Sequence, residues 1–258
     1  NIQSIISGNL SGNEFRVEAQ YQKDSLTYIG GSLSIQSKSP DYNFRLYQSD
    51  LQNFNWYNPN LENENIRVIS GFLGSKWGKI DASYSQIDNF TYFLGNEAPQ
   101  VSQLTGGTVN YLKAGVYKDF KLGKFGFDNS ILYQNVIEGD EAFKVPDWVL
   151  RNTLYFSSFV FKGKPMYLQT GITFKYFSSF YADALNPVLG TFVRQNQEQI
   201  GDYPVFDFFI NAQVKRTKIF FKIENLTSAF LEPNYYSSPL YPYRDWRIRF
   251  GLVWNWFN

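Results

Sequence analysis

The 258-residue sequence contains no cysteine and no histidine. Without cysteine, the chain has no disulfide, no thiolate zinc site and no cysteine nucleophile. Without histidine, it has no Ser–His catalytic pair, no histidine-ligated metal and not the most common general base, histidine itself. Paired carboxylates remain available for acid–base chemistry, but most hydrolytic mechanisms are excluded. We therefore expect neither an enzyme nor a protein that holds a metal or another cofactor.

The sequence also lacks a long apolar run and a surplus of charge. No stretch approaches the roughly 18 consecutive apolar residues that make a transmembrane helix. Lysine and arginine together number 24 and aspartate and glutamate 23, so no strong field would collect nucleic acid. Aromatic residues are nevertheless abundant, at 19%, while the mean hydropathy is only −0.34. This combination is typical of apolar residues spread singly along strands.

The end of the chain, RIRFGLVWNWFN, alternates between apolar and polar side chains. A period of two predicts a β-strand with one face in an apolar medium and the other facing water. The same alternation occurs in FRVEAQYQ (15–22), MYLQTGITFKYF (166–177), VFDFFINAQVKR (205–216) and KIFFKIENL (218–226). Further strands are predicted near residues 2–10, 27–38, 42–49, 65–75, 79–89, 108–119, 125–136 and 148–161.

These predicted strands number about thirteen, and most are about nine to thirteen residues long. Strands of soluble proteins are typically nearer five or six residues, whereas a tilted strand that crosses a bilayer needs about nine to eleven. From residue 50 onward, short and long connections alternate, as they do in barrels of outer membranes. The pattern therefore predicts an all-β fold, an antiparallel up-and-down transmembrane β-barrel, as one domain over residues 1–258. The predicted short connections are 11–13, 39–41, 76–78, 121–124, 162–165 and 216–217, and the long ones are 50–64, 90–107, 137–147, 178–203 and 227–245.

An odd number of strands conflicts with the even number found in bacterial single-chain barrels. One interpretation is that the sequence is the C-terminal part of a barrel of about 14 or more strands. The alternative is one miscounted strand in the weakly patterned region 24–50.

The C-terminal region, with INAQVKRTKIFFKIENL followed by YPYRDWRIRFGLVWNWF, resembles the putative porins of Bacteroidetes outer membranes. The resemblance covers roughly the last 60 residues. It implies a barrel in the outer membrane of a Gram-negative bacterium, with a diffusion role, in a family whose members are longer than this chain. It also implies an assembly signal read by the barrel-insertion machinery, for which the candidates are Phe250, Leu252, Trp254 and Trp256.

The polar strand faces would line the lumen of such a barrel. Basic side chains outnumber acidic ones there, which suggests a preference for anionic or neutral solutes. The alternative is that these side chains only form cross-strand pairs of small energetic value. The candidates are Arg16, Glu18, Arg67, Asp81, Lys113, Asp128, Arg151, Lys175, Asp207, Asn211, Gln213, Lys215, Lys222, Glu224, Arg247 and Arg249. If the strand registers align, Asp207, Lys222 and Arg249 would form one cluster on the inner wall.

These features bear on four functions. The favoured one is an outer-membrane porin for passive diffusion of small hydrophilic solutes. The alternative is a plugged or accessory barrel subunit of a larger outer-membrane complex for secretion or nutrient uptake. An outer-membrane enzyme is disfavoured by the lack of histidine, and a soluble carbohydrate-binding sandwich by strand length. Expected partners are outer-membrane lipid, the insertion machinery and other outer-membrane proteins, but not nucleic acid.

Overall fold

The computed structural model describes residues 2–5, 12–95, 97–231 and 235–254. These residues form one 12-stranded sheet in which the strands follow one another in chain order. Every pair of neighbours in the sheet is antiparallel. The predicted all-β, antiparallel, up-and-down order is therefore confirmed.

We number the strands of this sheet β1 to β12. Strands β2 to β10 contain 10 to 15 residues, enough to cross a bilayer at a tilt. The strands are β1 (Ile2–Ile5), β2 (Gly12–Gln22), β3 (Tyr28–Lys38), β4 (Glu64–Ser75), β5 (Gly78–Asp88), β6 (Thr108–Leu122), β7 (Phe125–Glu138), β8 (Trp148–Val160), β9 (Met166–Phe177), β10 (Val205–Val214), β11 (Thr217–Glu224) and β12 (Arg247–Trp254).

The two ends of the sheet carry different connections. At one end the turns are short and cover residues 23–27, 76–77, 123–124, 161–165 and 215–216. At the other end lie the connections 39–63, 89–107, 139–147, 178–204 and 225–246. These hold a one-turn helix (Tyr42–Arg45), a short 3₁₀ helix (Leu226–Ala229) and four small hairpins: Leu46–Tyr47 with Trp56–Tyr57, Thr91–Leu94 with Gln100–Gln103, Ala184–Asn186 with Thr191–Val193, and Tyr236–Ser238 with Tyr241–Pro242.

The predicted strand at residues 42–49 is wrong, and so are the short connections predicted at 39–41 and 11–13. Residues 39–63 form one long connection, while Gly12 and Asn13 belong to β2. The aromatic residues of segment 42–49 alternate as in a strand, but Phe44 packs on Phe93 and Tyr47 stacks on Trp56 within the connections. Without this segment, twelve predicted strands remain, as many as the sheet of the described residues contains. Of the strand predicted at 2–10, residues 2–5 form β1 and the rest lies outside the described residues.

The sheet has two chemically different faces, which the strand register defines. The first, which we call the apolar face, includes Leu33, Ile69, Ile80, Val116, Ile131, Leu154, Ile172, Phe208, Phe221 and Phe250. The second, the polar face, includes Glu18, Ser32, Ser70, Ser83, Lys113, Gln134, Arg151, Lys175, Asp207, Lys222 and Arg249.

Burial on these two faces is the reverse of that in a soluble domain. Within the described part of the sheet, every buried residue lies on the polar face, as Asp207 does at 2% exposure. On the apolar face, Ile172 is 47%, Leu154 57% and Phe250 80% exposed. A soluble sheet would pack these side chains against a second layer. Here the large apolar side chains have no protein layer over them.

The sheet curls so that connections from distant strands meet on the side of the polar face. The Tyr47 hydroxyl donates a hydrogen bond to the Val188 carbonyl oxygen at 3.0 Å, although six strands, β4 to β9, separate the two connections in the sheet. Among the described residues, no pairing joins β1 to β12, so the sheet is curved but open between these two edges. No helix in the described residues is long and apolar enough to span a membrane.

Candidate functional site

Strand register brings all but two of the predicted lining residues onto the polar face. They come from nine strands and therefore share one curved surface. The residues are Arg16 and Glu18 on β2, Asp81 on β5, Lys113 on β6, Asp128 on β7, Arg151 on β8, Lys175 on β9, Asp207, Asn211 and Gln213 on β10, Lys222 and Glu224 on β11, and Arg247 and Arg249 on β12.

Arg67 and Lys215 are the two exceptions. Arg67 pairs in register with Ile35 and lies on the apolar face, where it forms an ion pair with Asp88 at 3.1 Å. Apolar residues occur on both faces of β4, so only its pairing with β3 fixes which way Arg67 points. Lys215 lies in the short turn between β10 and β11, with a φ of 50°. The predicted positions of these two residues on the polar face are therefore wrong.

A continuous row of ion pairs crosses strands β9 to β12 on the polar face. Asp207 contacts Lys175 at 2.5 Å and Lys222 at 3.2 Å. Lys222 also reaches Glu224 at 3.0 Å, and Glu224 contacts Arg249 at 3.0 Å. The predicted cluster of Asp207, Lys222 and Arg249 thus forms, but Arg249 joins it through Glu224. We call these five side chains the ion ladder.

The buried carboxylate of Asp207 explains why the ion ladder brings positive charges to this place. Asp207 is 2% exposed, and an isolated charge at that position would cost several kcal/mol. Two lysines offset this cost, and the Asn225 backbone N–H donates to the second carboxylate oxygen at 3.0 Å. Both oxygens of Asp207 are therefore satisfied. The arrangement links four neighbouring strands across the polar face.

Four of the long connections, 39–63, 89–107, 178–204 and 225–246, pack on one another and form what we call the loop cluster. Phe93 lies at its centre, with the ring of Phe44 at 4.6 Å and that of Trp56 at 5.6 Å. The Arg194 backbone N–H donates to the Phe93 carbonyl at 2.7 Å, which joins connection 178–204 to connection 89–107. The longest predicted connection is thus packed against its neighbours over the polar side of the sheet.

An ion pair between a buried arginine and a partly exposed aspartate lies within the loop cluster. The Arg194 side chain is 3% exposed and its Nε lies 2.6 Å from the Asp183 carboxylate. Burial raises the pKa of Asp183, while Arg194 acts in the opposite direction. Lys144 of connection 139–147 lies over the Tyr181 ring at 4.9 Å and brings a second positive charge to this region.

Asn225 directly follows β11 and anchors connection 225–246 to the end of this strand. Its backbone is in the left-handed region, with φ 53° and ψ 53°, which asparagine tolerates better than most residues. Its Nδ2 donates to the Tyr235 hydroxyl at 2.6 Å and to the Arg244 carbonyl at 2.7 Å. Tyr235 in turn stacks on Tyr203 at 3.9 Å, and burial followed by the contact with Tyr235 raises the pKa of Tyr203 to about 12.

The anchor role of Asn225 was not predicted. In the sequence this residue is visible only as the start of NLT, which matches a glycosylation acceptor. At 2% exposure, with its amide nitrogen engaged, it is not available as an acceptor. The one sequence signal for its role is an asparagine directly after a strand, where a left-handed residue often ends the pairing.

The comparisons with known proteins agree with this geometry. The sequence model of a family described as "Putative porin" matches residues 1–258. The chain belongs to the putative porin family. Comparison with curated proteins gives no match. For this porin-family chain, the match covers the whole length, whereas the resemblance seen in the sequence covered only the C-terminal region.

The predicted assembly signal of this porin-family chain lies on the apolar face of β12. Phe250 is 80%, Leu252 60% and Trp254 55% exposed, and the three pair in register with Phe221, Ile219 and Thr217 of β11. Trp256 lies outside the described residues. The described part of the chain contains no group of three or more acidic residues placed to hold a metal ion.

Proposed function

We propose that this protein is a β-barrel of the outer membrane of a Gram-negative bacterium and that small hydrophilic solutes diffuse passively through its lumen. The observation that carries the proposal is the reversed burial of the two faces. Large apolar side chains such as Phe250 are exposed on one face, while charged side chains are collected on the enclosed face. Membership of the porin family supports the same role.

Closure of the sheet is part of this proposal. Hydrocarbon offers no hydrogen-bond partner to a backbone N–H or C=O group, so a spanning sheet leaves no free edge. We infer that the edges at β1 and β12 become paired in the membrane. Eight-stranded barrels are filled by side chains, whereas larger ones leave room for water. A barrel that includes the 12 strands described here would therefore have space for a polar lumen.

The apolar and polar faces of the sheet also suggest which molecules would surround the barrel. Outer-membrane lipid would cover the apolar face, and the barrel-insertion machinery would act on the apolar side chains of β12. Other outer-membrane proteins are further candidate partners. No catalytic step is proposed for this chain.

Single-channel recording tests the proposed function. Purified protein inserted into a planar bilayer should give stepwise increases in current in potassium chloride. Heat-modifiable migration in detergent gels, recorded on the same preparation, reports whether the barrel is folded. Folded, inserted protein that gives no current steps would contradict the diffusion role.

The second candidate function is a plugged or accessory barrel that serves a larger outer-membrane complex. The loop cluster favours it, because connections from opposite parts of the sheet pack together over the polar side. Deleting residues 184–193, the small hairpin of connection 178–204, separates the two functions. A plugged barrel should conduct only after this deletion, whereas a porin should conduct with the hairpin present.

A further inference from the structure

A polar cavity lies where the ion ladder meets connection 225–246. It has a volume of about 360 Å³ and is lined by residues at those ends of β9 to β12 that carry the long connections and by the segment from Pro242 to Asp245. This size is at the lower end of the range for small-molecule sites, roughly 300–1,000 Å³. The cavity is therefore large enough for a monosaccharide but not for a folded partner.

The cavity is lined by three carboxylates, Asp207, Glu224 and Asp245, and by an arginine, Arg247, that forms an ion pair with none of them. The two carboxylates of the ion ladder already contact Lys175, Lys222 and Arg249. Arg247 lies opposite Glu224 in register and lines the cavity, yet it makes no ion pair within the described part of the chain. A guanidinium without an ion-pair partner is suited to binding a carboxylate through two parallel hydrogen bonds.

Asn225 lines the same cavity, and its side chain carries a buried hydrogen-bond acceptor. Asn225 is 2% exposed, and its Oδ1 has no hydrogen-bond partner among the described residues. Its orientation is fixed, because Nδ2 has to face the Arg244 carbonyl oxygen to which it donates. A buried acceptor without a donor costs about 1–3 kcal/mol. A hydroxyl group on a bound molecule would satisfy it.

We propose that this cavity binds a small hydroxylated carboxylate, a sugar acid in chemical class. Arg247 holds the carboxylate, Asn225 Oδ1 accepts a hydrogen bond from a hydroxyl, and the ring of Tyr243 covers the sugar from the loop side. The site rests on the proposed function, since it selects a solute class at the end of the lumen that carries the long connections. Only this selecting role requires an open lumen; binding of the sugar acid itself does not.

The test is isothermal titration calorimetry on the detergent-folded, full-length protein at low salt, with glucuronate as the probe. The Arg247→Gln variant should weaken binding by about tenfold to a hundredfold, as expected when a charge-assisted hydrogen-bond pair is lost. Arg151→Gln is the matched control. Arg151 is another exposed cation of the polar face, makes no ion pair within the described residues and does not line this cavity. Its variant should bind like the unmodified protein.

Two further probes test the chemistry on the unmodified protein. Glucose lacks the carboxylate and cyclohexanecarboxylate lacks the hydroxyls, so both should bind at least about tenfold more weakly than glucuronate. Absence of glucuronate binding, equal loss in both variants, or equal binding of glucose would overturn the site. Current steps without glucuronate binding would support the diffusion role and contradict the proposed binding site. Glucuronate binding without current steps would support the site in a closed barrel and reject diffusion.

Discussion

Placing a charge at the middle of the apolar face tests the assumption that this face lies in lipid. Ile172 is at the centre of β9, between Leu154 and Phe208 in register, and is 47% exposed. It lies about 20 Å along the strand from Met166, taking about 3.3 Å per residue. An arginine on the lipid face costs about 2–4 kcal/mol at the bilayer midplane. The Ile172→Arg variant should therefore shift the folding equilibrium by about 30- to 700-fold.

Two control variants on the same strand separate lipid exposure from general damage. Gln169→Arg places the charge on the polar face and should cost less than about 0.5 kcal/mol. Met166→Arg keeps the apolar face but moves the charge to the short-turn end, where the cost falls to about 0–1 kcal/mol. The assay is urea unfolding in phospholipid vesicles, followed by tryptophan fluorescence. If Ile172→Arg is no more costly than Gln169→Arg, the apolar face does not meet lipid.

Three further predictions concern backbone packing, the loop anchor and pH. Gly171→Ala should lower the free energy of unfolding by about 1–3 kcal/mol, because the added Cβ would overlap the backbone carbonyl oxygen of Leu154. Gly71→Ala should change the urea midpoint little, because the nearest atom to its added Cβ is 3.9 Å away. Asn225→Ala should speed proteolytic cleavage in connection 225–246, because the Nδ2 hydrogen bonds that hold this connection to β11 are lost; an unchanged cleavage rate would exclude the anchor role. Since burial raises the pKa of Tyr203 to about 12, the folded state holds this proton more tightly than an unfolded tyrosine with a pKa of about 10. The contribution of this shifted pKa to folding stability should be fully present below about pH 10 and should be lost as the pH rises toward 12. Tyr203→Phe should flatten the fall in unfolding free energy over this pH range. An unchanged pH profile in the variant would contradict the shifted pKa of Tyr203.

The strand pattern of this chain could be predicted because the period of two is a local property. Segments such as 166–177 and 205–216 alternate over their whole length, and the structure contains β9 and β10 there. The prediction failed where aromatic residues alternate for another reason. Phe44 and Tyr47 are spaced as in a strand, but their partners are Phe93 and Trp56 in the connections. The sequence does not distinguish a ring that faces lipid from one that packs in a loop.

The polar face was predictable in the same way, but the contacts between connections were not. Lys175 and Asp207 could be assigned to one face by alternation alone, and register then placed them 2.5 Å apart. The hydrogen bond from Tyr47 to Val188 joins residues 141 positions apart and depends on how far the whole sheet curls. The same holds for Arg194, which is buried and whose backbone N–H donates to Phe93 of a different connection.

The contact between Tyr47 and Val188 also limits how this architecture can change in evolution. Because each strand pairs only with its chain neighbours, duplication or loss of one hairpin would leave the other pairings of the sheet intact. Between β4 and β9, however, an added hairpin would widen the sheet by about 10 Å. That displacement would separate the two connections and break the loop cluster. An added hairpin should therefore be tolerated outside the part of the sheet from β4 to β9 and selected against within it. The contacts between the connections thus limit how wide the sheet can become.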